Sequence, residues 1–157
     1  MYDDIITNLE KQISPHQLQI MKDRTIHLGI FTEPYLTYML EGKKTIESRF
    51  SKNKIAPYNQ ITKDDIVIIK KSSGKVIAYF TLKEVLFLDL DTISIDEIKA
   101  KYGNELCVDD QFWENKKDSK YATLIKIDKV IKLNSFPINK KGMQTWIVLK
   151  GSVYENN

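Results

Sequence analysis

Lys44, Glu47 and Arg49 place an ammonium, a carboxylate and a guanidinium in one short stretch, Gly42-Lys43-Lys44-Thr45-Ile46-Glu47-Ser48-Arg49. Such a set can do two kinds of chemistry. In the first, Arg49 grips a phosphate or a base edge through paired N–H groups, and Lys44 acts as a point charge beside it. Glu47 then either accepts from the amino group of a base or simply orients Arg49. In the second, Lys44 and Glu47 are an acid/base pair, provided burial draws their pKa values toward neutrality. From spacing alone, an ion-paired strand edge is the simpler reading.

Around this stretch lie further candidates. Lys43, Lys52, Lys54, Lys70, Lys71 and Lys75 would attract a phosphate backbone if they share one face, although each alone reads as a solvated lysine. Thr45 shares the strand face of Glu47 and Arg49 by alternation. Tyr58, in the Pro57-Tyr58 loop, is positioned either to stack on a base or to pack as a hinge. Trp113 and Trp146 read as core. His27 alternates with apolar residues and reads as a structural histidine. Cys107 lies beside Asp109 and Asp110 with no basic neighbour, which marks an inert thiol.

These side chains need elements to position them. Residues 3–12 have helical spacing, and Ser14-Pro15 opens a second short helix as N-cap and first-turn proline. Residues 1–24 therefore read as a helical arm that packs Ile5, Ile6, Leu9 and Leu18 against the main domain or a second copy. Ile26–Phe31 alternates as a strand. Thr32 to Gly42 is a helix with a glycine stop. Lys44–Phe50 is a second strand and residues 51–62 a loop. Asp65–Lys71 and Val76–Leu90 form a hairpin around Ser72-Ser73-Gly74-Lys75. The second of these strands is long enough to demand a bend or bulge. Ser94 and Glu97 make a capping box for a helix to about Tyr102, and another helix runs near Val108–Lys116. Tyr121–Leu133 and Trp146–Lys150 are strands. The pattern predicts a mixed α+β, mainly β fold: a small barrel over 26–150 with inserted helices, and a tail at 151–157.

Composition narrows the function classes. The chain has 157 residues, 42% hydrophobic and 29% charged, which is ample for one cored domain. No apolar run approaches the roughly 20 residues of a membrane span, so no membrane partner is expected. The acidic start, Asp3-Asp4, does not read as a secretory leader, and a cytoplasmic location is expected. One cysteine and two histidines give no metal centre, and no cofactor is expected. Net charge is +3, distributed as −3 over 1–42, +7 over 43–83, −6 over 84–118 and +5 over 119–157. Basic blocks flanking an acidic one either fold into a polarised surface for a polyanion or merely solvate their outer faces.

From Ile26 to Lys150 the sequence resembles the activating signal cointegrator homology (ASCH) domain, a branch of the PUA-like barrels. The resemblance rests on Glu33-Pro34-Tyr35, on Gly42 to Arg49 against a G-x-K-T-x-E-x-R pattern, and on Asp65-Ile66, Phe112-Trp113, Tyr121 to Ile125 and Trp146-Ile147-Val148. It implies a barrel with a cleft beside the helix–strand junction. It also implies RNA or a nucleotide-like ligand as partner, bound by Lys43, Lys44, Thr45, Glu47, Arg49, Lys52, Tyr58 and Lys70. The alternative it implies is a hydrolase of a modified nucleoside such as N4-acetylcytidine, or of RNA. Lys44 matches the hydrolase lysine, the hydrolase threonine falls on Glu47, and Glu105 is the nearest match to its glutamate. Deacetylation of acetylcytidine is accordingly expected to be weak or absent. Oligomeric state is not legible.

Overall fold

Ile66–Ile69, Ile-Val-Ile-Ile, is a continuous apolar run buried on both faces, and Lys70-Lys71 carry the same strand outward. The computed structural model describes residues 1–150, so the expected tail lies outside the described residues. In chain order the elements are α1 (Tyr2–Glu10), α2 (Pro15–Lys22), β1 (Ile26–Phe31), α3 (Tyr35–Leu40), β2 (Ile46–Ser51), β3 (Ile66–Lys71), β4 (Val76–Asp89), α4 (Ile95–Leu106), α5 (Asp110–Lys116), β5 (Tyr121–Phe136) and β6 (Trp146–Lys150). The fold is mixed α+β with more strand than helix. Its six strands form one curled half-barrel sheet in the order β2-β5-β4-β3-β1-β6. Among the described residues only β1 and β3 run parallel. The other pairs are antiparallel.

Among the described residues the sheet does not close by hydrogen bonds: β2 pairs only with β5, and β6 only with β1. The long β4–β5 ribbon bends at register shifts between Val76/Ala78, Phe80/Leu82 and Leu82/Glu84. Bulges of this kind raise local twist and let one hairpin serve two halves of a sheet. Beyond the bend, β4 and β5 carry β2 and, above it, α4 and α5. Ile46, Ile98, Leu106, Trp113 and Leu124 pack together there.

At the other end α1 and α2 bury Ile5, Leu9 and Met21 completely against Ile26, Leu28, Ile66 and Ile68. Burying each such side chain contributes about 1.5–3 kcal/mol. The Gln12 side chain accepts from Asn134 N–H (2.8 Å) and donates to its carbonyl (3.0 Å), tying α1's end to β5.

Capping follows the sequence. Ser14 accepts from Gln17 N–H, and the Ser94/Glu97 box is formed. α4 runs on to Leu106 before Cys107 ends it in the left-handed region at φ 55°. β2 starts at Ile46 rather than at residue 44, because the N–H groups of Lys43 and Lys44 both bond Tyr38 carbonyl (2.9 and 3.1 Å) to finish α3. Gly42 at φ +78° makes that stop possible. Among the described residues no helix is long and apolar enough to cross a membrane.

Candidate functional site

The free side of β2 opens onto a cleft. Thr45 and Ser51 turn their carbonyls toward β5, accepting from Ile127 and Lys120 N–H. By antiparallel alternation residues 47 and 49 also face β5, and the backbone groups of Ser48 and Phe50 face the open side. The cleft there measures ≈ 440 Å³, and its lining includes Tyr35, Glu47, Ser48, Arg49, Phe112 and Lys116. It lies between the β1–α3 junction and the β2–α5 lobe.

Arg49 spans the gap that the sheet leaves. Its Nη2 donates to Ile30 carbonyl (2.8 Å) and its Nη1 to Thr145 carbonyl (3.2 Å). The guanidinium lies over the rings of Phe31 and Trp146, 4.8 and 4.9 Å from their centroids. Burial works against its charge, and Glu47 works for it. Gly29 makes the ring cradle possible, since a Cβ there would come within 2.6 Å of the Phe31 ring and 3.0 Å of Trp146. Trp146 is itself fixed from behind. Its indole N–H donates to His27 Nδ1 (3.0 Å), so the neutral ring carries its proton on Nε2, which bonds Asp65 (2.9 Å). Asp65 accepts from Thr62 N–H as well.

Glu47 is drawn round to the open edge. Ser48 N–H donates to its Oε1 (2.7 Å), and Oε2 lies 3.9 Å from Arg49 Nη2 with no hydrogen bond among the described residues. The Ser48 hydroxyl is buried and has no hydrogen-bond partner among those residues. Lys116 of α5 reaches over the Phe112 ring (5.2 Å). Its pKa is lowered by burial and then by Arg49, with Glu47 opposing. Burial raises the Tyr35 hydroxyl, and Asp109 and Glu47 push the same way. Asp109 also caps α5 by accepting from Phe112 N–H (2.9 Å).

Lys44 is placed behind this cleft. It is 2% exposed and donates from Nζ to Leu106 carbonyl, at the negative end of α4. Burial lowers its pKa while Glu47 raises it. It lines a separate hollow of ≈ 320 Å³ with Gly42, Thr45 and Ile127.

The other expected residues disperse. Lys43 is exposed and paired with Glu41 (3.1 Å). Thr45 is exposed, and its backbone bonds Glu105 and Ile127. Lys52 is exposed. Tyr58 is buried, with its ring against Tyr121 (4.9 Å) and Phe87 (5.6 Å). Lys70 lies on β3 beside Ile30, a residue of the cleft lining, and bonds Lys71 carbonyl. The structure thus brings Glu47 and Arg49 together and adds Tyr35, Ser48, Asp109 and Lys116. Tyr35 and Ser48 lie inside the Glu33-Pro34-Tyr35 and Gly42 to Arg49 motifs, whereas Asp109 and Lys116 only flank Phe112-Trp113. Among the described residues no group of three His, Cys, Asp or Glu side chains is placed to hold a metal.

The sequence matches the ASCH domain family over residues 30–146, and the chain belongs to that family. Among solved structures it is similar to the crystal structure of ASCH from Zymomonas mobilis, at 16% identity and a TM-score of 0.63, covering 82% of this chain and 90% of that one. A serine-to-alanine variant of the same Zymomonas mobilis protein is similar at 16% identity and a TM-score of 0.63, over 82% and 91%. These likenesses show the fold. No match emerges among curated proteins.

Proposed function

From membership of the ASCH family we propose that this protein binds single-stranded RNA, with a base lodged in the cleft along β2. The observation that carries the reading is Glu47: a buried carboxylate whose Oε2 makes no hydrogen bond among the described residues and has Arg49 3.9 Å away, held at an open strand edge between aromatic side chains and two cations. A carboxylate so placed accepts from a base amino group, while Phe112 and Tyr35 offer ring surface and Lys116 offers charge to phosphate. Arg49 contributes field and shape, because two of its N–H groups already serve Ile30 and Thr145. Lys52, Lys54, Lys70, Lys71 and Lys75 supply the less specific attraction that the basic block 43–83 implies.

The test is fluorescence anisotropy with short single-stranded RNAs at low salt. Glu47→Gln and Lys116→Ala should each weaken binding by about 1–3 kcal/mol. RNA binding that is undetectable, or unchanged in the double variant, would sink the reading.

A hydrolase is the second reading, favoured by the lowered pKa of buried Lys44 near Glu47. A lysine of depressed pKa is a competent base or nucleophile. Against it stands the hydrogen bond of Lys44 to Leu106, which occupies the ammonium although it lies over the Tyr35 ring, 5.5 Å from its centroid. Turnover of N4-acetylcytidine by the purified protein, abolished in Lys44→Met, is the outcome that would favour it.

A further inference from the structure

The second basic block of the chain, net +5 over 119–157, reaches the rim of this cleft. From residue 129 to residue 150 the lysines are Lys129, Lys132, Lys140, Lys141 and Lys150, and no Asp or Glu lies among them. Residues 137–145 carry two of these lysines through the link from β5 to β6. Both ends of that link are tied down. Ile138 packs against the core that α1 and α2 bury. Thr145 carbonyl accepts from Ile30 N–H (2.9 Å) and from Arg49 Nη1 (3.2 Å). Thr145 and Ile30 both line the cleft, so the link ends at its wall. Between the two anchors the chain turns at Gly142, φ +83°, and Lys140 Nζ donates to Gly142 carbonyl (2.9 Å). A loop held at both ends and braced across its turn loses little freedom when a ligand seats on it.

Met143 is the side chain that this turn holds out, 95% exposed. A lone exposed methionine is ordinary, and it is the position of this one that matters. It stands two residues from Thr145, so its Cα lies at most about 7 Å from that of a cleft residue. Lys140 and Lys141 lie just ahead of it in the chain. On the other flank Lys70 of β3 is the register partner of Ile30, one strand spacing of about 4.8 Å away. Glu33, between β1 and α3, is occupied by Thr37, from whose N–H (2.8 Å) and hydroxyl (2.6 Å) it accepts. A polarisable apolar side chain set among cations at the mouth of a cleft complements an aromatic base set among phosphates.

We propose that residues 139–144 form a second wall of the cleft and bind the nucleotides next to the one lodged at Glu47. Lys140 and Lys141 meet phosphates, and Met143 lies on the face of a neighbouring base. The proposal rests on the RNA reading and extends it from one nucleotide to a run of them. Contacts to phosphates and to a base face read no base edge, so this wall adds affinity without sequence preference.

The experiment is anisotropy with fluorescein-labelled rU8 over a salt series, with thermal melts of each variant. The full-length chains compared are wild type, Lys140→Ala/Lys141→Ala, Met143→Ser, Met143→Leu, Glu47→Gln and a control pair on the helical arm, Lys11→Ala/Lys22→Ala. The loop lysine pair should flatten the slope of log K against log salt by about 1.4, roughly 0.7 for each lost phosphate contact, and the control pair should leave it unchanged. Met143→Ser should weaken binding about three-fold or more, and Met143→Leu should hold it within about two-fold of wild type. An unchanged slope in the loop pair, or unchanged affinity in Met143→Ser, with Glu47→Gln still weakened, would overturn this wall and leave the RNA reading standing. An equal loss of slope in the control pair would overturn it too, because the lysines would then act only through the general field. Failure of wild type to bind at low salt would overturn the proposal together with the reading beneath it. Should a loop variant melt below wild type, crosslinking of 4-thiouridine RNA to the wild-type chain decides: adducts within 139–145 support the wall, and adducts confined elsewhere overturn it.

Discussion

Two buried polar networks meet at Trp146, one on each side. Behind it, the indole bonds His27, and His27 bonds Asp65, which also accepts from Thr62. In front, its ring faces Arg49, and Arg49 stands beside Glu47 and Ser48. The first network is closed. His27 is fully buried, both ring nitrogens are engaged, and the tautomer is set by a donor-only indole. The second network is open. Among the described residues Glu47 Oε2 has Arg49 at 3.9 Å and no hydrogen bond, and the Ser48 hydroxyl has no partner. A closed network specifies structure, and an open one at a cleft is where the proposed RNA binding would act. Mutations on the closed side should therefore register in stability, and those on the open side in binding.

The largest expected effect is Trp146→Ala. It removes a 5%-exposed indole, breaks the bond to His27 and strips one ring from Arg49. The cost should be about 3–5 kcal/mol, read from a urea midpoint at constant m-value. Arg49→Ala should also destabilise, because the carbonyls of Ile30 and Thr145 lose the strut that joins β2 to β1 across the gap. A melt unchanged by Arg49→Ala would show that the open sheet needs no such strut.

Next is Gly29→Ala. The new methyl would meet Phe31 at 2.6 Å and Trp146 at 3.0 Å, so the cradle must open. Overpacking of this kind costs about 1–3 kcal/mol. The same displacement should loosen RNA binding through Arg49. Glu47→Gln, by contrast, should alter binding with a melting temperature near wild type. That contrast is the direct test of the closed-versus-open division.

The architecture was largely legible in the sequence, and the site only partly so. Gly42 to Arg49, the alternation of Ile26–Phe31 and the Ser94/Glu97 box are local signals, and local signals survive folding. Strand count alone does not reveal that β2 and β6 share no ladder among the described residues, or that Arg49 joins the two edges by its side chain. Its acceptors lie 19 and 96 residues away in sequence, where spacing has no reach. Lys116 was masked by an acidic block of net −6. Thr45 stays in phase with residues 47 and 49 but lies exposed just before β2, outside the cleft lining. An orphan hydroxyl such as Ser48 has no sequence signature at all, since its environment comes from β2 and α5 together.

The smallest expected effect concerns Lys44, which lies over Tyr35 beside the open network and belongs to neither. Burial lowers its pKa, more than Glu47 restores it. The unfolded chain, with an ordinary lysine near 10.4, then holds more protons than the native one between the lowered value and about 10.4. Stability therefore rises with pH across that window, and below it the native state carries the full cost of a buried charge. Lys116, lowered by burial and Arg49, adds the same sign. Tyr35 and Tyr79, both raised, favour the native state until the unfolded tyrosines begin to ionise near 10, and lose that contribution only as pH climbs through their raised values. Lys44→Met removes the titrating group but keeps the stem. It also leaves Leu106 carbonyl, the last orphan acceptor of α4, without its donor. At neutral pH the two changes oppose each other, so the net shift should be small, within about 1 kcal/mol. The informative quantity is the slope. A urea series from pH 7 to 10 should show wild-type stability rising more steeply than that of Lys44→Met. Parallel curves would mean that the α4 carbonyl holds the Lys44 charge at no cost, and that the motif's lysine is as fully closed off as His27.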